Sequence, residues 1–300
     1  MKKYVITGSL GHISKPLAEA LIKAGQQVTI ITSKQDRVAE IAALGATAAV
    51  GSVEDPSFLN RAFAGADAVY LMIPPQYQFT GTFRDYQHRV ADAYVAALSS
   101  QQIKYAVLLS SIGAQMGKGA GPIDGLAYLE KKLAGISGLN AVFLRPSYFY
   151  DNLFTMIPLI KGMNIMGSNF FGERTEKLVL TDTRDIAIAA ADALLHLDFK
   201  GTVIRHIASD ARATDEIAST LSNAIGKPGI PWVTFSDEQS LNGMLQAGLP
   251  PTLAQDYMDM GRGFRSGDIQ KDFWAQPPTA WGQTKLEDFA TAFAAAFNKN

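Results

Sequence analysis

Six short apolar runs recur through the first half of the chain: Tyr4–Thr7, Gln27–Thr32, Thr47–Val50, Ala68–Ile73, Tyr105–Ser110 and Ala141–Leu144. Stretches with helical periodicity separate them, over 13–24, 35–44, 56–64, 82–100 and 124–136. The runs do not alternate apolar with polar residues, so each is expected to be a strand buried on both faces. That is the condition of a parallel sheet covered by helices. Right-handed crossovers leave few other ways to connect such units, and the sequence predicts an α/β fold with a doubly wound parallel sheet.

The rhythm changes after Arg145–Pro146. Residues 151–178 are rich in Asn, Gly, Met and Phe and have no clear period. An alanine-rich helix ("TRDIAIAAADALLHL"), a strand ("TVIRHIAS") and a capped helix ending at Gly226 are expected next, then loops and helices to the end. The division predicted is a nucleotide-binding domain over 1–150 and a smaller substrate lobe over 151–300, interleaved with the first. With 47% apolar and 18% charged residues there is enough apolar side chain for a sizeable core. A net charge of −1 disfavours nucleic acid as a partner. The absence of cysteine excludes disulfides, thiol nucleophiles and cysteine-ligated metals. No signal segment and no run long enough to span a bilayer is read, so a cytoplasmic protein that needs no membrane is expected.

Gly8-x-x-Gly11-x-x-Ser14 follows the first strand and opens a helix, the context in which such a pattern binds a dinucleotide. Gly8 permits the tight turn and Gly11 lets the backbone approach a pyrophosphate, which the helix start favours electrostatically. The third position sets helix–strand closeness, and Ser14 is small enough to stand there. Thr7, Ser9, His12 and Ile13 complete this candidate loop. The second strand ends in "IITSKQDR", where an NAD site usually carries an acidic residue. Thr32, Ser33, Lys34 and Arg37 suit a 2′-phosphate better, so NADP(H) is expected over NAD(H). Ser52 and Val53 are candidates to flank the adenine, and Met72, Ile73 and Pro74 to line the middle of the cofactor.

The modified glycine loop, "GSVEDPSFLNRAFAGADAVYLMIPP", "YAVLLSSIGA", "SGLNAVFLRPSYFYDN" and "TDTRDIAIAAADAL" together resemble the NmrA-like branch of the atypical short-chain dehydrogenases/reductases. Within it the chain is most similar to the quinone oxidoreductase and triphenylmethane-dye reductase types. The resemblance implies a Rossmann core with a small C-terminal lobe and binding of NADP(H) or NAD(H). It implies two possible roles: reduction of a quinone, dye or other aromatic acceptor, or redox sensing through a protein partner without turnover. Ser110, Pro146, Ser147 and Tyr148 are the further cofactor-side positions. A homodimer is a possibility.

Short-chain dehydrogenases use a Tyr-x-x-x-Lys pair, and Tyr128 and Lys132 have that spacing on the helix after the fifth strand, with Ser111 as companion hydroxyl. Counting back from Arg145–Pro146, however, the His-x-x-x-Glu pair of the relatives falls on Ala127 and Lys131. A one-residue insertion near "LAGISGL" would instead bring Glu130 into register and leave Leu126 at the histidine. Hydride transfer to a quinone or dye can proceed with position and a dry pocket alone. For such a pocket Tyr77, Phe79, Phe149, Tyr150 and Trp274 are the candidate substrate residues, with Phe170 and Phe171 also aromatic. No histidine spacing suggests a metal.

Overall fold

The computed structural model describes residues 1–170 and 177–299. Its strands are β1 (Lys3–Ile6), β2 (Gln27–Thr32), β3 (Thr47–Val50), β4 (Ala68–Leu71), β5 (Tyr105–Leu109), β6 (Asn140–Pro146), β7 (Tyr148–Phe149), β8 (Met166–Ser168), β9 (Leu178–Thr181), β10 (Thr202–Ile207), β11 (Asp210–Arg212) and β12 (Trp232–Thr234). Its helices are α1 (Ser14–Lys23), α2 (Val38–Ala43), α3 (Pro56–Ala62), α4 (Phe83–Ser100), α5 (Asp124–Ala134), α6 (Met156–Met163), α7 (Thr183–His196), α8 (Thr214–Ala224), α9 (Asp237–Gln246), α10 (Pro251–Arg265), α11 (Asp268–Ala275) and α12 (Leu286–Lys299).

A seven-stranded parallel sheet runs in the order β10-β6-β5-β4-β1-β2-β3. Successive residues of each strand point to opposite layers, and both layers are apolar. Tyr4 and Ile6 join Leu17 and Leu21 of α1 and Ile186 and Leu194 of α7. Val5 joins Leu59 of α3, Val90 and Leu98 of α4, and Leu129 of α5. This two-sided burial is why the strands read as unbroken apolar runs. The chain leaves β1 towards β2 on one side and returns at β4 on the other, which opens a crevice at the carboxyl ends of β1 and β4.

One strand of the second half, β10, completes this sheet by pairing with β6 from Thr202–Ala141 to Ile207–Pro146. Apart from β10 and α7, which belong to the sheet and the layer covering it, the second half packs around Leu153, Ile160, Leu180, Ile217, Phe273 and Phe293. Asp185 near the start of α7 fastens the end of the chain to the sheet. It accepts from Ser209 Oγ at 2.5 Å and from the amides of Gln283 and Thr284. No helix among the described residues is long and apolar enough to cross a membrane.

Candidate functional site

The β1–α1 turn is built for close approach by an anion. Gly8 has φ +92° and Ser9 φ +54°, so the chain doubles back within two residues. A Cβ on Gly8 would lie 2.4 Å from Ser14 Oγ and 2.6 Å from Met72 Sδ, so only glycine fits. Ser14 Oγ donates to the Thr7 carbonyl at 2.9 Å, which holds the helix start against the strand and does the work of the missing third glycine. Helix α1 has no capping side chain at Ile13 and no acidic residue in its first turn. Among the described residues the amides of Leu10, His12 and Ile13 have no acceptor, so donors and helix dipole are left for a phosphate.

The surrounding loops converge on this turn. Thr7 Oγ1 accepts from the Met72 amide at 2.8 Å and donates to the Tyr70 carbonyl, which ties the exits of β1 and β4 together. Ser9 Oγ donates to Thr32 Oγ1 at 3.0 Å, and the Lys34 amide donates to the same oxygen at 3.2 Å. Ser33 and Lys34 are exposed at the end of β2, and Arg37 follows in the turn before α2. Lys34 has no ion pair among the described residues, while Arg37 meets Glu40 at 2.7 Å. The Ser52 hydroxyl accepts from the Glu54 amide, and Val53 packs towards the core beneath α3 and α4. Backbone carbonyls of Met72 and Pro74 accept from Tyr94 and Tyr86 of α4, so the rim formed by Met72, Ile73 and Pro74 is fixed from behind. His12 pairs through Nδ1 with Asp151, joining the glycine turn to the segment after β7.

On the far side of the crevice, the Pro146 carbonyl accepts from the Ile112 amide, and the Ser147 amide donates to Thr181 Oγ1. Tyr148 stands edge-on to Phe170, with ring centroids 5.3 Å apart, and Phe170 stacks on Phe264 of α10 at 4.8 Å. Burial raises the Tyr148 phenol above its usual pKa, and the neighbouring Tyr257 phenol adds to the shift. Tyr257 is raised for the same two reasons, with Tyr77 as its neighbour. Burial thus keeps the Tyr148 and Tyr257 phenols neutral, and Tyr257 lies within electrostatic reach of both Tyr148 and Tyr77. Tyr257 is a residue the sequence reading missed; its one signal was its place two helical turns before Phe264, on the same face of α10.

The other candidates go elsewhere. Tyr150 is fully buried, stacked on Phe289 of α12 at 5.2 Å, so it is part of the second core and not of a pocket wall. Phe79 leans on Phe83, and Phe149 packs against the α1–α7 layer. Trp274 is partly exposed on α11, edge-on to Phe273. Phe171 lies outside the described residues.

The expected catalytic pair is not brought to the crevice. Tyr128 Oη donates to Asp92 of α4 at 2.9 Å, its ring stacks on His88, and Lys132 meets the same carboxylate at 2.9 Å. Helical phase explains this: Tyr128 and Lys132 lie on the face of α5 turned towards α4. Glu130, about 200° round the helix from Tyr128, points inward instead. Ser111 Oγ donates to the adjacent Ile112 carbonyl and is not joined to Tyr128. Ser110 Oγ donates to Glu130 Oε1 at 2.5 Å. Arg145 donates to both oxygens of Glu130, Nε at 2.9 Å and Nη2 at 2.6 Å, and through Nη1 to Asp272 at 2.8 Å. His206 Nε2 lies 3.2 Å from the same Asp272 oxygen.

Residues 1–232 match the model of the NmrA-like family. The chain belongs to that family. Two curated relatives align along most of this NmrA-like chain. The NAD(P)H azoreductase of Xenophilus azovorans is 25% identical over 98% of both chains. The (4-alkanoyl-5-oxo-2,5-dihydrofuran-3-yl)methyl phosphate reductase of Streptomyces griseus is 23% identical over 88% of this chain and 87% of the relative. Among solved structures, the NADPH-dependent quinone oxidoreductase of Escherichia coli complexed with NADPH superposes with a TM-score of 0.74, at 20% identity over 99% of both chains. The Citrobacter triphenylmethane reductase complexed with NADP(H) gives 0.74 at 19% identity, over 97% of this chain and 99% of the other. These likenesses establish the fold of the NmrA-like chain as that of its structural neighbours.

Proposed function

We propose that this NmrA-like protein is an NADP(H)-dependent oxidoreductase that transfers hydride to a quinone-like or other aromatic acceptor. The observation that carries the reading is the β1–α1 turn: three unpaired amides at an uncapped helix start, with Ser33, Lys34 and Arg37 at the end of the next strand. The three amides suit a pyrophosphate, and the hydroxyl and two cations suit a 2′-phosphate. Full-length alignment with an NAD(P)H azoreductase supports the same assignment.

When bound, the nicotinamide supplies the hydride, and the chain's own residues supply position. Gly8, Ser9, Gly11 and Ile13 cradle the diphosphate. Thr32, Ser33, Lys34 and Arg37 hold the adenosine end, with Ser52 and Val53 beside the base. Met72, Ile73, Pro74, Ser110, Pro146 and Ser147 frame the path across the sheet edge. Tyr77, Tyr148 and Tyr257 form an amphipathic aromatic wall suited to a flat acceptor. Burial keeps the Tyr148 and Tyr257 phenols protonated and able to donate hydrogen bonds at neutral pH.

The test is a fluorescence titration with NADPH and NADH, followed by absorbance at 340 nm with a panel of quinones, azo dyes and triphenylmethane dyes. Preferential binding of NADPH and its oxidation by at least one aromatic acceptor are expected. Tight binding with no oxidation across the panel would assign the protein to the nucleotide-sensing role, to which the engagement of Tyr128 and Lys132 by Asp92 lends some support.

A further inference from the structure

Five polar side chains from five elements form one continuous chain beneath the crevice. Ser110 follows β5, Glu130 comes from α5, Arg145 from β6, His206 from β10 and Asp272 from α11. Ser110, Glu130, Arg145 and His206 are each more than nine-tenths buried. Arg145 grips Glu130 with a two-pronged fork, and Glu130 Oε1 receives the Ser110 proton as well. A serine hydroxyl has one proton, so Ser110 Oγ has only lone pairs to offer any other group.

Ser110 also has a defined place. Its strand lies between β4 and β6, whose exits carry Met72–Pro74 and Pro146–Tyr148. Its own amide donates to the Leu144 carbonyl at 2.8 Å, so backbone and side chain are both fixed. The geometry points to Glu130 as a positioning residue for the nicotinamide half of the site. By taking the Ser110 proton it makes Ser110 Oγ an acceptor-only group, suited to an amide N–H donor such as the nicotinamide carboxamide and unable to protonate the substrate. This rests on the reading that the crevice holds NADP(H). Arg145 orients Glu130 with its fork, and Asp272, held by the same guanidinium, links that position to α11. Tyr128 of the same helix faces α4, and the inward-facing residue is Glu130.

The experiment compares two ligands on the full-length chain. NADPH carries the nicotinamide; adenosine 2′,5′-bisphosphate carries only the adenosine end. Ser110→Ala is expected to weaken NADPH about tenfold, one hydrogen bond, and to leave the bisphosphate unchanged. Glu130→Asp, which keeps the charge but shortens the arm by a methylene, is expected to have a similar effect on NADPH alone. In the Ser110→Ala background Glu130→Asp should add less than twofold, because it acts through Ser110. Glu130→Gln keeps an oxygen for Ser110 and should stay within about threefold of wild type, so it decides the matter should Glu130→Asp not fold. Equal weakening of both ligands, fully independent effects of Ser110→Ala and Glu130→Asp, or a tenfold loss in Glu130→Gln would each overturn the proposal. Failure of the wild-type protein to bind either ligand would instead overturn the nucleotide reading beneath it.

Discussion

Replacing Arg145 by Met should be the most costly single change in the crevice. Arg145 is 4% exposed and lies between Glu130, itself 7% exposed, and Asp272. Methionine fills most of the volume, so the loss is electrostatic: a buried carboxylate is left without its cation, and three donated hydrogen bonds disappear. Breaking a buried pair from one side costs about 3–5 kcal/mol. With a urea slope of about 3 kcal/mol per molar, the unfolding midpoint should fall by about 1–1.7 M. The companion measurement is Arg145→Met combined with Glu130→Gln. Removing the charge left behind returns part of the loss, so the double variant should be more stable than the sum of the two single changes predicts. A midpoint shift below about 0.3 M for Arg145→Met, or strict additivity in the double variant, would refute the account of a desolvated and mutually dependent pair.

Gly8→Ala places a Cβ 2.4 Å from Ser14 Oγ at a positive φ; nucleotide binding should fall more than tenfold while circular dichroism shows the fold intact. Lys34→Ala should weaken NADPH several-fold and leave NADH unchanged, and the difference should shrink as salt is raised, read by titration at two ionic strengths. Tyr128→Phe should leave turnover within about twofold of wild type, since its hydroxyl serves Asp92; a hundredfold loss would return Tyr128 to the chemistry. Burial lowers the His206 pKa, so the unfolded chain binds its proton more readily than the folded one. That contribution to stability is complete above the ordinary histidine range and is lost as pH falls from about 6.5 towards the lowered value. His206→Gln should flatten this part of the curve in thermal melts from pH 5 to 8.

The repeating units were legible because both faces of each strand are covered. Val5 and Ile6 turn to opposite layers and are both buried, so no polar residue interrupts the run and the strand stands out. The glycine turn was legible for a similar reason, since its residue types follow from backbone geometry within seven positions. Helix phase was harder. The spacing of Tyr128 and Lys132 defines a face of α5 without saying which neighbour that face meets. Packing of Leu129 and Leu133 against the sheet turned Glu130 inward and Tyr128 towards α4. Tyr150 shows the same limit: it directly follows a strand, as a pocket aromatic would, yet α12, from the far end of the chain, covers it.

By itself the sequence determined the layered α/β class, the phosphate-ready turn and the hydroxyl-and-cation signature at the end of β2. Each depends on neighbours in the chain, whose spacing the backbone converts directly into geometry. Tertiary structure decided the rest: that β10 completes the sheet, that Tyr257 joins Tyr148, and that Arg145 binds partners 15 and 127 residues away in the sequence. Such contacts are set by which buried surfaces and charges must be satisfied together, and that requirement exists only once the whole chain has folded around them.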